Sequence, residues 1–274
     1  SLLDVSIVDP ATSFDTYNTG TRGNAFTLTG NAGITFVDTT DGATIWGYYD
    51  GIDAKNSGDG ALSITTTGTI KSGQNNGIGA TNDGTSLIIN AATTTGGDFY
   101  GAGIDAKNSG TGALSITTTG TTTGADYGIK AEIDNTSSTG ALSITTSGAT
   151  TGYNGHGIYA KNDGTGAVNI TTTGTTTGTR FKDGISATIS SANSSSDITI
   201  NAATTTGGDD GISAENKGTG ALSITTTGTT TGTSGDGIFA RNFVKGALSI
   251  TTTGTTTGTG GDGIFATNFG NGAL

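Results

Sequence analysis

Acidic side chains recur at one position of a repeated motif. Asp50, Asp183, Asp210, Asp236 and Asp262 each stand two residues before the Ile of a Gly-Ile unit, and the last four fall in consecutive copies. Stacked copies would set these carboxylates in a row, where like charges repel unless water or a cation bridges them. Calcium accepts carboxylates and turn carbonyls, so Asp183, Asp210, Asp236 and Asp262 are candidate ligands of a cation column. The alternative is a row of solvated turn carboxylates. Neither the Gly-Gly-x-Gly-x-Asp nonapeptide of calcium β-rolls nor an EF-hand loop is present.

Nucleophilic chemistry has little support. His156, in "GYNGHGIYA", is the single histidine, and Cys is absent. No Gly-x-Ser-x-Gly elbow accompanies it, so no triad is indicated and His156 reads as a surface residue. Outward Thr-x-Thr pairs, such as Thr65/Thr67, Thr117/Thr119 and Thr171/Thr173, suggest an ice-binding array. Asn90/Ala92 and Asn201/Ala203 interrupt it, and Ser147 replaces one Thr, which argues against that use. Aromatic residues carry the remaining candidate. The residue after each motif Ile becomes Tyr159, then Phe239 and Phe265, with Phe243 and Phe269 close behind. Exposed aromatics in a column mark a partner-binding patch, and stacking between neighbouring copies is the plainer reading.

The elements that would position these residues follow from the repeat. "GIDAKNSGTGALSITTTGTTTG" spans Gly103 to Gly124, and aligned copies place Ile at 52, 78, 104, 129, 158, 185, 212, 238 and 264. The intervals lie between 25 and 29 residues, which marks a solenoid. Helices are disfavoured by Thr and Gly and by the lack of a 3.6-residue apolar period. Ile52 and Ala54 alternate with polar residues, as do Leu62 and Ile64, with the period of two of a half-buried strand. A Thr-rich run, such as Thr121 to Thr123, supplies a third strand. The spacing thus predicts an all-β parallel β-helix of about 26 residues and three short strands per coil, roughly 10 coils in all. Coils stacked at about 4.8 Å align identical positions into columns, so a few inward apolar residues per coil suffice for a core.

Asn56, Asn82, Asn108, Asn162, Asn216, Asn242 and Asn268 all lie four residues after the motif Ile, as turn-capping residues would. Ile133 and Ile189 replace Asn in the two coils whose next strand begins about three residues later. Residues 1–46 read as an irregular, aromatic-rich N-terminal cap containing an early coil around Ala25–Leu28 and Gly33–Phe36. Residues 47–274 read as the repeat, stopping inside a copy at Leu274, so that upstream and downstream segments are expected.

Composition bounds partners. With net charge −11, the chain should repel DNA, RNA and anionic lipid. No apolar run reaches the ~20 residues of a membrane helix, so direct membrane insertion is not expected. Ile, Leu, Val and Phe make up about 18% of the chain, a fraction usual for disorder, yet their regular placement predicts a fold.

The copies of "GIxAxNxGTGALSITTTGTTTG", the acidity and the lack of Cys resemble the passenger domains of bacterial autotransporters (type V secretion), over roughly Gly47 to Leu274. The resemblance implies a right-handed parallel β-helix, exported through a translocator β-barrel C-terminal to this segment and found secreted or on the bacterial surface. Passengers of this family include adhesins, proteases, toxins and released factors that act on host cells, endothelial mitogens among them. The catalytic domain of the protease subgroup is not found here. The resulting expectation is a non-enzymatic virulence factor that binds a host cell-surface receptor or matrix component, as an adhesin or as a released, mitogenic or angiogenic ligand. It needs no cofactor, calcium being the one candidate. A structural stalk and a polysaccharide-active β-helix enzyme are the alternatives. The regular acidic row lacks the convergence and the Lys/Arg partners that an enzyme of that kind needs.

Overall fold

The computed structural model describes residues 3–7, 22–40, 42–270 and 272–274. Phe14 and Tyr17, expected in the cap, lie outside them. The described residues contain 29 strands and no helix. Each coil contributes one strand to each of three parallel sheets, of ten, ten and nine strands, giving about nine turns. The first sheet holds strands such as Ile104–Asn108, the second strands such as Leu114–Thr118, and the third strands such as Thr122–Gly124.

Pairing is in register at every level. Ile104 sits between Ile78 and Ile129, and Ala106 between Ala80 and Ala131. In the second sheet Leu114 and Ile116 pair with Leu142 and Ile144. Alternation of side chains sends these residues inward, where they are fully or nearly fully buried. Small residues complete the narrow interior: Ala106, Ala131, Thr122 and Thr150 have exposures of 0%. One coil has no opposing layer to cover its inner face, so burial comes from stacking.

The early coil belongs to the same stack. Phe26–Gly30 pairs with Ile52–Asn56, Ile34–Asp38 with Leu62–Thr66, and Thr44–Gly47 with Thr69–Ser72. Phe36 occupies the register position of Ile64 and is fully buried, against Phe26 at a ring-centroid distance of 5.1 Å. Larger side chains at this end thus fill the cross-section that Ile and Ala fill elsewhere.

The corner after the first sheet explains both the Asn column and its two gaps. Asn108 is completely buried. Its Nδ2 donates to the carbonyls of Thr85, Gly112 and Ala113, and its Oδ1 accepts from Gly110 N. Amides also link along the axis: Asn56 Nδ2 donates to Asn82 Oδ1 at 2.8 Å, and Asn82 Nδ2 to Asn108 Oδ1 at 2.9 Å. Where Ile133 and Ile189 take over, the longer corner folds a serine into the vacated place. Ser138 and Ser194 are fully buried, and their Oγ atoms accept from Gly140 N and Ser196 N while donating to the carbonyls of Thr111 and Thr165. The extra residues therefore supply polar atoms that Ile cannot.

Candidate functional site

The acidic row lines the corner that precedes the first sheet, and the structure gives it partners within the chain. Asp183 Oδ1 accepts from Asp210 N at 3.3 Å, Asp210 Oδ1 from Asp236 N at 2.7 Å, and Asp236 Oδ1 from Asp262 N at 2.6 Å. Each carboxylate thus satisfies the corner amide of the following coil. Other side chains do the same job in the same column: Asn24 accepts from Asp50 N, Asp50 from Asn76 N, and Asn76 from Ala102 N. His156 joins through Nδ1, which lies 3.1 Å from Asp183 N and 3.3 Å from Asp183 Oδ2. Among the described residues no three His, Cys, Asp or Glu side chains gather so as to hold a metal ion. Asp183, Asp210, Asp236 and Asp262 form a ladder along the rod, with one oxygen of each of the first three committed to backbone, and offer calcium no cage.

The ladder has a cost. Burial pushes Asp210 up to about 6, helped by the charges of Asp183, Asp209 and Asp236 and opposed by the Asp236 N–H. Asp50, Asp105 and Asp126 are also raised, in each case chiefly by burial. A raised carboxyl binds its proton more tightly folded than unfolded. Its contribution to stability is complete below the unfolded value of 3.8 and is lost as pH climbs through about 6. The shift at Asp210 alone corresponds to about 3 kcal/mol, which solvent screening of this half-buried group reduces to about 1 kcal/mol. Asp134 moves the opposite way: burial raises it, but Lys107 and Ser109 hold it down, so its stabilising effect persists until pH falls below 3.8. We therefore expect a higher melting temperature at pH 4.5 than at pH 7.5, measured by circular dichroism. Asp210→Asn should shrink the difference, because an amide keeps the Oδ1 acceptor, as Asn76 does. An unchanged pH dependence in that variant would overturn the assignment.

His156 is not a surface residue. Its side chain is 12% exposed and stacks on Tyr127, with ring centroids 5.8 Å apart and planes at 22°. Tyr159 packs on the same pair, 5.5 Å from His156 and 5.8 Å from Tyr127. Tyr159 thus belongs to a mid-rod cluster, three coils before Phe239.

The four phenylalanines are brought together. Phe239 and Phe265 are partners in the ladder, stacked at 5.4 Å with planes 9° apart. Phe243 and Phe269 stack at 5.4 Å and 26° in the adjoining corner, and are 36% and 61% exposed. Alternation sends Phe239, Arg241 and Phe243 to the outer side, about 6.8 Å apart along the chain. The Arg241 guanidinium lies 4.5 Å from the Phe239 ring centroid and 5.7 Å from that of Phe265. The result is a flat tile, Phe-Arg-Phe over Phe-Thr-Phe. Stacking between coils and outward exposure are combined in it.

Comparison with protein-family models, curated proteins and solved structures returned no match. The surface must therefore be read from its own chemistry. A second set of aromatics escaped the sequence reading. Phe99, Tyr100, Tyr153 and Phe181 are 67%, 84%, 57% and 77% exposed, all on corners that follow the third sheet. Phe181 and its neighbour Arg180 have φ of 60° and 52°, a left-handed conformation that costs non-glycine residues energy. The Thr face is not flat. Asn90 and Ala92 line one hollow of about 240 Å³, and Asn201 lines another of about 230 Å³. A continuous ice-like lattice has no place there. No helix among the described residues is long and apolar enough to cross a membrane.

Proposed function

We propose that this solenoid is the passenger of an exported bacterial protein and acts without catalysis, by presenting the side of the rod to a receptor or matrix protein of a host cell. The Phe239/Phe243/Phe265/Phe269 tile supports this reading most directly. Large aromatics held rigid by the sheet lose little freedom on binding, and a cluster of that kind forms the energetic centre of protein interfaces. Resemblance of the repeat to autotransporter passengers supplies the cellular setting.

The test is saturable attachment of the protein to host-cell surfaces, compared between wild type and the Phe239→Ser/Phe243→Ser variant. We expect the pair of changes to weaken attachment at least about tenfold, the loss of about 1.4 kcal/mol or more that removal of a central anchor brings. The melting temperature should hold, because both rings lie outside the core. Unaltered attachment would remove the tile from the reading. A stalk that only spaces other elements would survive deletion of two complete coils with its activity intact, whereas a binding rod altered near the tile would not.

A further inference from the structure

Charge is distributed unevenly along the rod. From Lys217 onward there are three cations, Lys217, Arg241 and Lys245, against Asp236 and Asp262. The chain before Lys217 carries eight cations against twenty acids. All three late cations border the phenylalanine tile. Lys217 precedes Phe243 in its corner column, since Phe243 N donates to Asn216 O and Lys217 N to Ile189 O one coil earlier. Arg241 lies inside the tile, and Lys245 stands two residues beyond Phe243.

Three earlier lysines are committed to carboxylates, whereas Lys55, Lys71 and Lys182 are exposed and, like Lys217 and Lys245 at the tile, make no ion pair among the described residues but have no stacked phenylalanine pair beside them. Lys107 is bonded to Asp134, Lys130 to Asp105 and Glu132, and Lys161 to Asp163. Lys217 and Lys245 are exposed and have no ion-pair partner among the described residues. Arg241 has only a 3.9 Å approach to Glu215, and its guanidinium is spread over two rings. The tile therefore combines four apolar rings with cationic capacity that the chain itself leaves unused.

Resting on the receptor-binding reading above, we propose that the tile takes an acidic protein segment carrying aromatic or aliphatic side chains. Its apolar groups would lie on the phenylalanine rows, and its carboxylates would meet Lys217, Arg241 and Lys245. Charge complementarity selects the class of occupant. An extended polyanion, such as nucleic acid, a sulfated polysaccharide or an anionic bilayer, would cover neighbouring coils and meet the excess of acids there. A short acidic segment meets the local patch alone. Phe rings offer no hydroxyl or N–H to a polar ligand, which favours apolar side chains against them.

The experiment uses a short random copolymer of Glu and Tyr, only long enough to span the tile, as the probe, immobilised for biolayer interferometry. A Lys/Tyr copolymer, heparin and phosphatidylserine vesicles serve as comparators. We expect saturable binding to the Glu/Tyr copolymer. Binding should weaken about tenfold in Lys217→Glu/Lys245→Glu and in Phe239→Ser/Phe243→Ser, and should fall as NaCl rises from about 50 to about 500 mM. No saturable binding, equal binding of the Lys/Tyr copolymer, indifference to charge reversal, or tighter capture of heparin or vesicles would each overturn the proposal. Host-cell attachment of the same variants separates the two levels. Loss on the Phe changes with retention on charge reversal would end the acidic-segment proposal and keep the receptor reading, whereas retention on the Phe changes would end the acidic-segment proposal and remove the tile from the receptor reading. Unchanged melting temperatures confirm that each variant is folded.

Discussion

Asn108→Leu should unfold the middle of the rod well below the wild-type melting temperature. The substitution keeps the size of the side chain and removes its polarity. It strands the Nδ2 of Asn82 and takes the amide donor from Gly112 O, while Gly110 N keeps Asn82 O and the carbonyls of Thr85 and Ala113 keep Gly112 N and Leu87 N. A buried donor left unpaired costs about 1–3 kcal/mol and each further lost hydrogen bond about 1 kcal/mol, so we expect a total of about 2–4 kcal/mol. Ser138→Ala is the companion measurement. Ser138 Oγ makes fewer bonds at the equivalent corner, to Thr111 O and Gly112 O and from Gly140 N, and its loss should cost about 1–2 kcal/mol. Urea titration followed by circular dichroism gives both numbers. If Asn108→Leu proves milder than Ser138→Ala, the corner amides are not what secures the coils.

Gly166→Ala should be as severe, for a steric reason. A Cβ at Gly166 would overlap the carbonyl oxygen and carbon of Gly140, which is backbone of the preceding coil. Backbone cannot turn aside as a side chain can, so the two coils must separate and the neighbouring ladder bonds stretch. Overpacking of this kind typically costs 1–3 kcal/mol where side chains can adapt, and we expect at least about 3 kcal/mol here. Gly79→Ala provides the contrast. Its nearest neighbour would be Asn76 Nδ2 at 3.3 Å, the mobile end of a side chain. That change should stay within about 0.5 kcal/mol of wild type. Equal effects at the two positions would mean that corner glycines are not required by the closeness of the coils.

Much of this architecture is legible before any coordinates, because stacking turns a linear period into a column. Aligning Ile104 with Ile129 also aligns Asn82 with Asn108, Leu114 with Leu142 and Phe239 with Phe265, and the structure pairs them so. What periodicity cannot supply is the partner of a polar atom. The acidic row could be placed at a corner, but its bonds to amides of the next coil depend on side-chain direction, which spacing does not encode. The serines that stand in for Asn were hidden for a related reason: Ser138 and Ser194 lie inside extra residues that have no counterpart in other copies. Phe26, Phe36 and Ile45 obscured the first coil by changing the letters of the motif while keeping its inward pattern. Corners also concealed Phe99, Tyr100, Tyr153 and Phe181, since their lengths vary and no column predicts exposure there.

Register that is set anew in every turn has a consequence for how such a gene can change. An in-frame duplication or loss of one repeat inserts or removes a whole turn, and the flanking turns meet the same surface they met before. Mutational drift in rod length is therefore tolerated, while the cross-section is held nearly constant by Ile, Ala, Asn and Gly. The identical segments Ile89–Asp98 and Ile200–Asp209, four turns apart, have the form that such copying leaves behind. Novelty is then free to accumulate on outward positions one turn at a time, as the step from Ser213 to Phe239 illustrates.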